Sequence, residues 1–120
     1  MGVNGQKGSK RLYSALSNSI HGMKTCFRTE EAFRQEILLC IVLIPLSFFI
    51  AGNLNEWLLL NGSLAMVLVV ELLNTGIERA IDRISFDRHE LSRDAKDMGS
   101  AAVLLSLVIF VLCWGAILVF

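Results

Sequence analysis

The chain has 120 residues, 54% of them hydrophobic, with 11 basic and 11 acidic side chains and a single Pro. That length holds one domain, 1–120, and the composition excludes a proline-rich linker, a collagen-like chain and a charged disordered tail. A formal net charge of zero implies no strongly charged partner such as nucleic acid. The charges are nevertheless segregated: none lies between Glu36 and Glu56, and none follows Asp97. A C-terminal run of uncharged residues, 98–120, is unusual for a soluble domain and points to a membrane protein.

The first 36 residues contain no apolar h-region, so a cleavable signal peptide is not expected. Instead, residues 9–27 read as an amphipathic helix. Leu12, Leu16, Ile20, Met23 and Phe27 recur at spacings of three and four, while Lys10, Arg11, Asn18, His21 and Lys24 fall mostly on other faces. Such a helix beside a span lies in the membrane interface.

Crossing about 30 Å of hydrocarbon takes around 20 helical residues. Three segments qualify: about 35–53, about 57–78 and 98–120. Pro45 marks an expected bend in the first of them. All 11 Lys and Arg residues fall either before the first span or between the second and third. The positive-inside rule then places the N-terminus and the 79–97 segment in the cytoplasm and the C-terminus outside, as in a bacterial inner-membrane protein. Cys40 and Cys113 lie in spans and Cys26 near the reducing side, so neither a disulfide nor a thiolate metal site is expected.

The informative residues are polar ones inside the second span. Glu71 is flanked by Val69, Val70, Leu72 and Leu73. A carboxylate at the centre of a span costs about 3 kcal/mol on insertion scales, so it needs a reason. At about 100° per residue, Asn74, Thr75, Glu78 and Asp82 all fall within about 60° of Glu71. This stripe climbs about 16 Å from Glu71 to Asp82. The deep carboxylate suits a general base, whereas the shallow ones are hard oxygen donors suited to Mg²⁺. Interhelical hydrogen bonding and ion or proton transport are the competing readings of such a stripe.

Residues 79–97 interleave five basic and five acidic side chains, the pattern of a solvated helical extension laced with ion pairs. Lys96 and Asp97 nevertheless sit where the stripe emerges and would suit a nucleotide phosphate with its metal. Glu30 and Arg34, four apart, share a face at the start of the first span. Glycine-rich phosphate loops are absent: residues 5–10, GQKGSK, lack the required spacing, and His21 and His89 lack zinc-ligand company.

VELLNTGIERAIDRIS followed by HELSRDAKDMGSAAVLL, with EEAFRQE upstream, resembles the small prokaryotic integral-membrane diacylglycerol kinases over nearly the whole chain. The resemblance implies an all-α homotrimer of three-span subunits, each with an N-terminal surface helix, and active sites shared between subunits. It also implies transfer of the ATP γ-phosphate to a diacylglycerol hydroxyl with Mg²⁺. By position, Glu71 would be the general base, Asn74 would position the hydroxyl, and Glu30 and Glu78 would hold the metal. Arg11, Asn18, Asp87, Arg88, His89, Lys96 and Asp97 would lie near the nucleotide. Ser19, Lys24, Phe33, Arg34, Gln35, Glu36, Ser100 and Trp114 match positions near the lipid.

The chain departs from the family pattern at three positions. Asn18 replaces an aromatic residue of the nucleotide site, and Ile20 and His21 stand at positions that are often Trp and Lys. Undecaprenol kinases share the fold but differ in the segment after the second span, which favours diacylglycerol over undecaprenol as acceptor. A small multidrug or cation transporter is the alternative of a different class, and the charged 79–97 segment and the amphipathic N-terminus count against it.

Overall fold

A computed structural model describes residues 7–120; the first six residues of the expected 1–120 domain, including Gly5 and Gln6 of the GQKGSK segment, lie outside the described residues. Four helices follow in chain order: α1 (Gly8–Thr29), α2 (Glu31–Ile50), α3 (Leu54–Ile84) and α4 (Glu90–Val119). No strand occurs among the described residues. The last three helices are long and apolar enough to cross a membrane.

Each connection is short and has a local cause. Between α1 and α2 a single extended residue, Glu30 (φ −115°, ψ 115°), breaks the helix. The carbonyls exposed at the end of α1 are not left bare: Arg34 Nη1 donates to Phe27 O at 2.9 Å and Arg28 O at 3.0 Å. The guanidinium therefore folds back across the break and fixes α2 relative to α1.

At the other end, Asn53 caps α3, its side-chain oxygen accepting from the Glu56 amide at 2.9 Å. The Glu56 carboxylate returns to the Gly52 amide at 3.0 Å, a variant of the reciprocal capping box. This cap ends the first span at Ile50, three residues before the expected 53, because Ala51, Gly52 and Asn53 form the connection. Pro45 sits inside α2, which runs unbroken as helix from Glu31 to Ile50.

The charged segment 79–97 is mostly helix, in keeping with the helical extension its charge pattern implies, and only residues 85–89 connect α3 to α4. Ser85 Oγ accepts from the Asp87 amide at 3.0 Å, and His89 Nδ1 caps α4 by accepting from the Leu91 amide at 3.1 Å. Charge alternation interrupts the apolar run without interrupting the helix, so both helices extend well past their apolar portions.

Helix α3 is central and touches the other three, most extensively α4. Its buried residues are Leu60, Ser63, Leu64, Val67, Glu71, Asn74 and Thr75, a single seam at spacings of three and four. The carboxylate stripe therefore continues the hydrophobic seam. Glu71 and Asn74 occupy core positions of a helix interface.

Candidate functional site

The charged half of this seam places Glu71 at 7% relative exposure and Asn74 at 9%. Asn74 Nδ2 donates to Glu78 Oε1 at 3.3 Å, one turn nearer the charged end. Across the interface the α4 backbone comes close at Gly99. A Cβ there would lie 2.0 Å from Asn74 Oδ1, so only glycine leaves room for this amide. The same Oδ1 is buried without a hydrogen-bond partner. A buried orphan acceptor costs free energy, which sets this amide apart from the polar groups that pair elsewhere along α3.

Carboxylates converge on the same region. Glu71 lies within electrostatic range of Glu78, Glu30 and Glu36. Glu36, on α2, is half-buried, with Oε2 lacking a partner. The nearest cation to Glu30 is Arg79, whose Nη2 lies 4.0 Å from Glu30 Oε1 and donates to Thr29 Oγ1. Carboxylates thus outnumber cations at the packed centre.

Beyond this cluster the end of α3, the start of α4 and the connection between them line an open cleft of about 730 Å³. Asp82, Asp87, Arg88, His89, Lys96 and Asp97 line it. Lys96 Nζ bonds Asp82 Oδ1 at 2.7 Å, a pair in which both side chains are about 40% exposed. Such a pair orients the ammonium without withdrawing it from a ligand. The cleft has room and mixed charge for a polyanionic co-substrate.

Residues 17–118 match the family described as prokaryotic diacylglycerol kinase. The relatives agree. The chain is 45% identical to a diacylglycerol kinase of Pseudomonas aeruginosa over 114 residues, covering 95% of this chain and 93% of that one. It is 43% identical to a diacylglycerol kinase of Haemophilus influenzae over 113 residues, covering 94% and 96%. It is 36% identical to that of Escherichia coli K12 over 116 residues, covering 97% and 95%. The chain belongs to the prokaryotic diacylglycerol kinase family. Membership makes it a membrane kinase and removes the transporter alternative.

Against this family background, the residues singled out by sequence fall into three groups. Glu71, Asn74, Glu78, Glu30 and Glu36 come together around the seam. Asp87, Arg88, His89, Lys96 and Asp97 share the cleft. The rest are dispersed. Arg11, Asn18, Ser19 and Lys24 are exposed along α1, with Ser19 Oγ donating to Ala15 O at 2.8 Å. Phe33 is buried at the start of α2, and Gln35 beside it is exposed. Arg34 is committed to the end of α1, and Ser100 is exposed next to Gly99. Trp114 lies in the other half of the molecule, buried, with Nε1 donating to Leu60 O at 3.0 Å. Leu60 is about 16 Å along α3 from Glu71.

For Mg²⁺, the donor set can be tested against the geometry. Among the described residues no three His, Cys, Asp or Glu side chains form a closed metal cage. Mg²⁺ characteristically binds through one or two carboxylates together with substrate phosphates and waters. Glu30 and Glu78, two oxygen donors that both act electrostatically on Glu71, fit that pattern. Two contributors were not singled out as site residues from sequence: Gly99, which makes space for Asn74, and Arg79, which reaches Glu30. Gly99 stands inside the AKDMGSAA motif, where a small residue beside a span signals close helix approach.

Cys26, on α1, is buried, its Sγ directed at Thr75 Oγ1 at 3.8 Å. Burial pushes this thiol up from its ordinary value, so it is a packing group and not a nucleophile.

Proposed function

We propose that the chain transfers the γ-phosphate of ATP to the primary hydroxyl of diacylglycerol, giving phosphatidic acid, with Glu71 as general base. The observation that carries this reading is the seam itself. A buried carboxylate and a buried amide, whose oxygen is unpaired, stand between an apolar helix interface and a charged cleft. An amphiphilic acceptor needs that junction: its acyl chains stay in hydrocarbon while its hydroxyl reaches Glu71. Asn74, anchored to Glu78 and confined by Gly99, orients the hydroxyl toward the base. Lys96, Arg88 and His89 offer cationic and hydrogen-bonding groups to the nucleotide in the cleft. Glu30 and Glu78 are the residues to hold Mg²⁺, which when bound neutralises phosphate charge. The remainder of phosphoryl transfer is positioning and charge stabilisation, tasks that fixed side chains perform.

In this reading the charged end of the bundle faces the cytoplasm of the bacterial inner membrane, because all 11 Lys and Arg residues lie on that side of the spans. Helix α1 lies on the membrane surface. Support comes from Leu12, Tyr13, Leu16, Ile20, Met23 and Phe27, all exposed and 42–74% accessible. The functional unit is a homotrimer with shared sites. Helix α4 buries only Gly99, Ser106 and Trp114 within its own chain, leaving the surface that a neighbouring copy needs.

The experiment is phosphorylation from labelled ATP by the purified protein in mixed micelles containing diacylglycerol, undecaprenol or neither. Labelled phosphatidic acid with little undecaprenyl phosphate is the expected result. Preferential labelling of undecaprenol would reassign the acceptor, and no labelled lipid would remove the kinase reading.

A further inference from the structure

Arg79 reaches from α3 to the single extended residue that separates α1 from α2. Its guanidinium bonds Thr29 Oγ1 and stands 4.0 Å from Glu30 Oε1. Glu30 has no other ion pair among the described residues. The two side chains are 50% and 31% exposed, so neither is locked in place. Glu30 also lies within electrostatic range of Glu71, which is in range of Glu78. A carboxylate cluster of this kind repels itself, and Arg79 is the cation that offsets it at Glu30.

We propose that Arg79 is a resident counter-charge that a divalent cation must displace from Glu30. The inference rests on the assignment of Glu30 to the metal made above. A guanidinium is never deprotonated in proteins, so its positive charge stands near Glu30 at every working pH. Two cations beside one carboxylate repel each other, and metal binding therefore requires Arg79 to move. Thr29 Oγ1, an uncharged acceptor that already bonds the guanidinium, keeps Arg79 tethered as it turns away from Glu30, since that hydrogen bond does not depend on Glu30. The consequence is a site that binds a free divalent ion weakly and fills when the ion arrives with phosphates, whose negative charge can take over the guanidinium.

The test is Mn²⁺ binding to the full chain in mixed micelles without nucleotide, read from the electron paramagnetic resonance signal of free Mn²⁺. Arg79→Gln keeps a donor for Thr29 Oγ1 but removes the charge. It is expected to bind Mn²⁺ about fivefold more tightly than the unaltered protein, the upper end of what an exposed, salt-screened charge contributes. Arg79→Lys keeps the charge and is expected to bind like the unaltered protein. Thr29→Val is expected to stay within about twofold, and a gain there as large as in Arg79→Gln would assign the effect to the lost hydrogen bond, overturning the proposal. Glu30→Gln is expected to weaken binding and to abolish the gain when combined with Arg79→Gln. Unchanged or weaker binding by Arg79→Gln, alongside weakened binding by Glu30→Gln, overturns the counter-charge while leaving Glu30 as a metal ligand. If Glu30→Gln changes nothing in either background, the metal assignment itself fails and takes the counter-charge with it.

Discussion

Helix α3 carries polar side chains on its packed face toward both ends. In the half near Gly52, Asn61 Nδ2 donates to Ser47 Oγ and to Trp57 O, each at 3.0 Å. There, too, Leu60 O accepts from both Ser63 Oγ and Trp114 Nε1. In the charged half, Asn74 Oδ1 and Glu36 Oε2 are buried with no partner, and carboxylates crowd around Glu71. The first half spends its polar groups on tying helices together, as membrane helix interfaces commonly do. The second keeps polar groups uncommitted at a structural cost, which is the mark of a site awaiting ligands. Trp57 Nε1 is the one orphan of the first half among the described residues, on a ring tilted 56° against Phe48 at a centroid distance of 5.5 Å.

This contrast can be broken by substitution, and the expected effects descend in order. Glu78→Gln should lower turnover about a hundredfold at fixed Mg²⁺ and raise the Mg²⁺ needed for half-maximal rate. An unchanged Mg²⁺ titration would remove Glu78 from the metal site. Gly99→Ala should cost about tenfold in rate, because the added methyl must displace Asn74. Gly115→Ala, where a Cβ would meet nothing within 4 Å, should leave the rate within about twofold. Equal rates for the two alanine variants would deny Asn74 a positioning role. Lys96→Met should raise KM for ATP several-fold with a smaller change in kcat, measured by varying ATP at saturating lipid. Asn61→Leu should leave turnover per folded molecule unchanged while lowering stability by about 1 kcal/mol, read from denaturation in mixed micelles. A loss of turnover there comparable to that of Gly99→Ala would erase the distinction between the halves.

How far each half could be read in advance follows from what kind of interaction builds it. The spans were legible because hydropathy and length are properties of contiguous residues: α3 contains the run expected at 57–78, and α4 all of the run expected at 98–120 but its last residue. The stripe was legible because Glu71, Asn74 and Glu78 share a face at helical spacing, a local property too. Contacts between distant residues were not. Nothing along the chain pairs Arg79 with Thr29, 50 residues away, or Trp114 with Leu60, 54 residues away. The Gly99–Asn74 approach likewise depends on how α4 lies against α3. The break between the surface helix and the first span was expected somewhere between 27 and 35, but not its position: Arg34 reaching back to Phe27 O and Arg28 O is what makes the interruption at Glu30 tolerable.

The central claim is that Glu71 acts on the acceptor hydroxyl and holds neither the nucleotide nor the fold. It is tested most directly by measuring ATP binding and lipid phosphorylation on one preparation of Glu71→Gln in diacylglycerol-containing micelles. ATP affinity within about twofold of the unaltered protein, with phosphorylation reduced at least about a hundredfold, is the predicted result. Phosphorylation at a near-normal rate would contradict the claim.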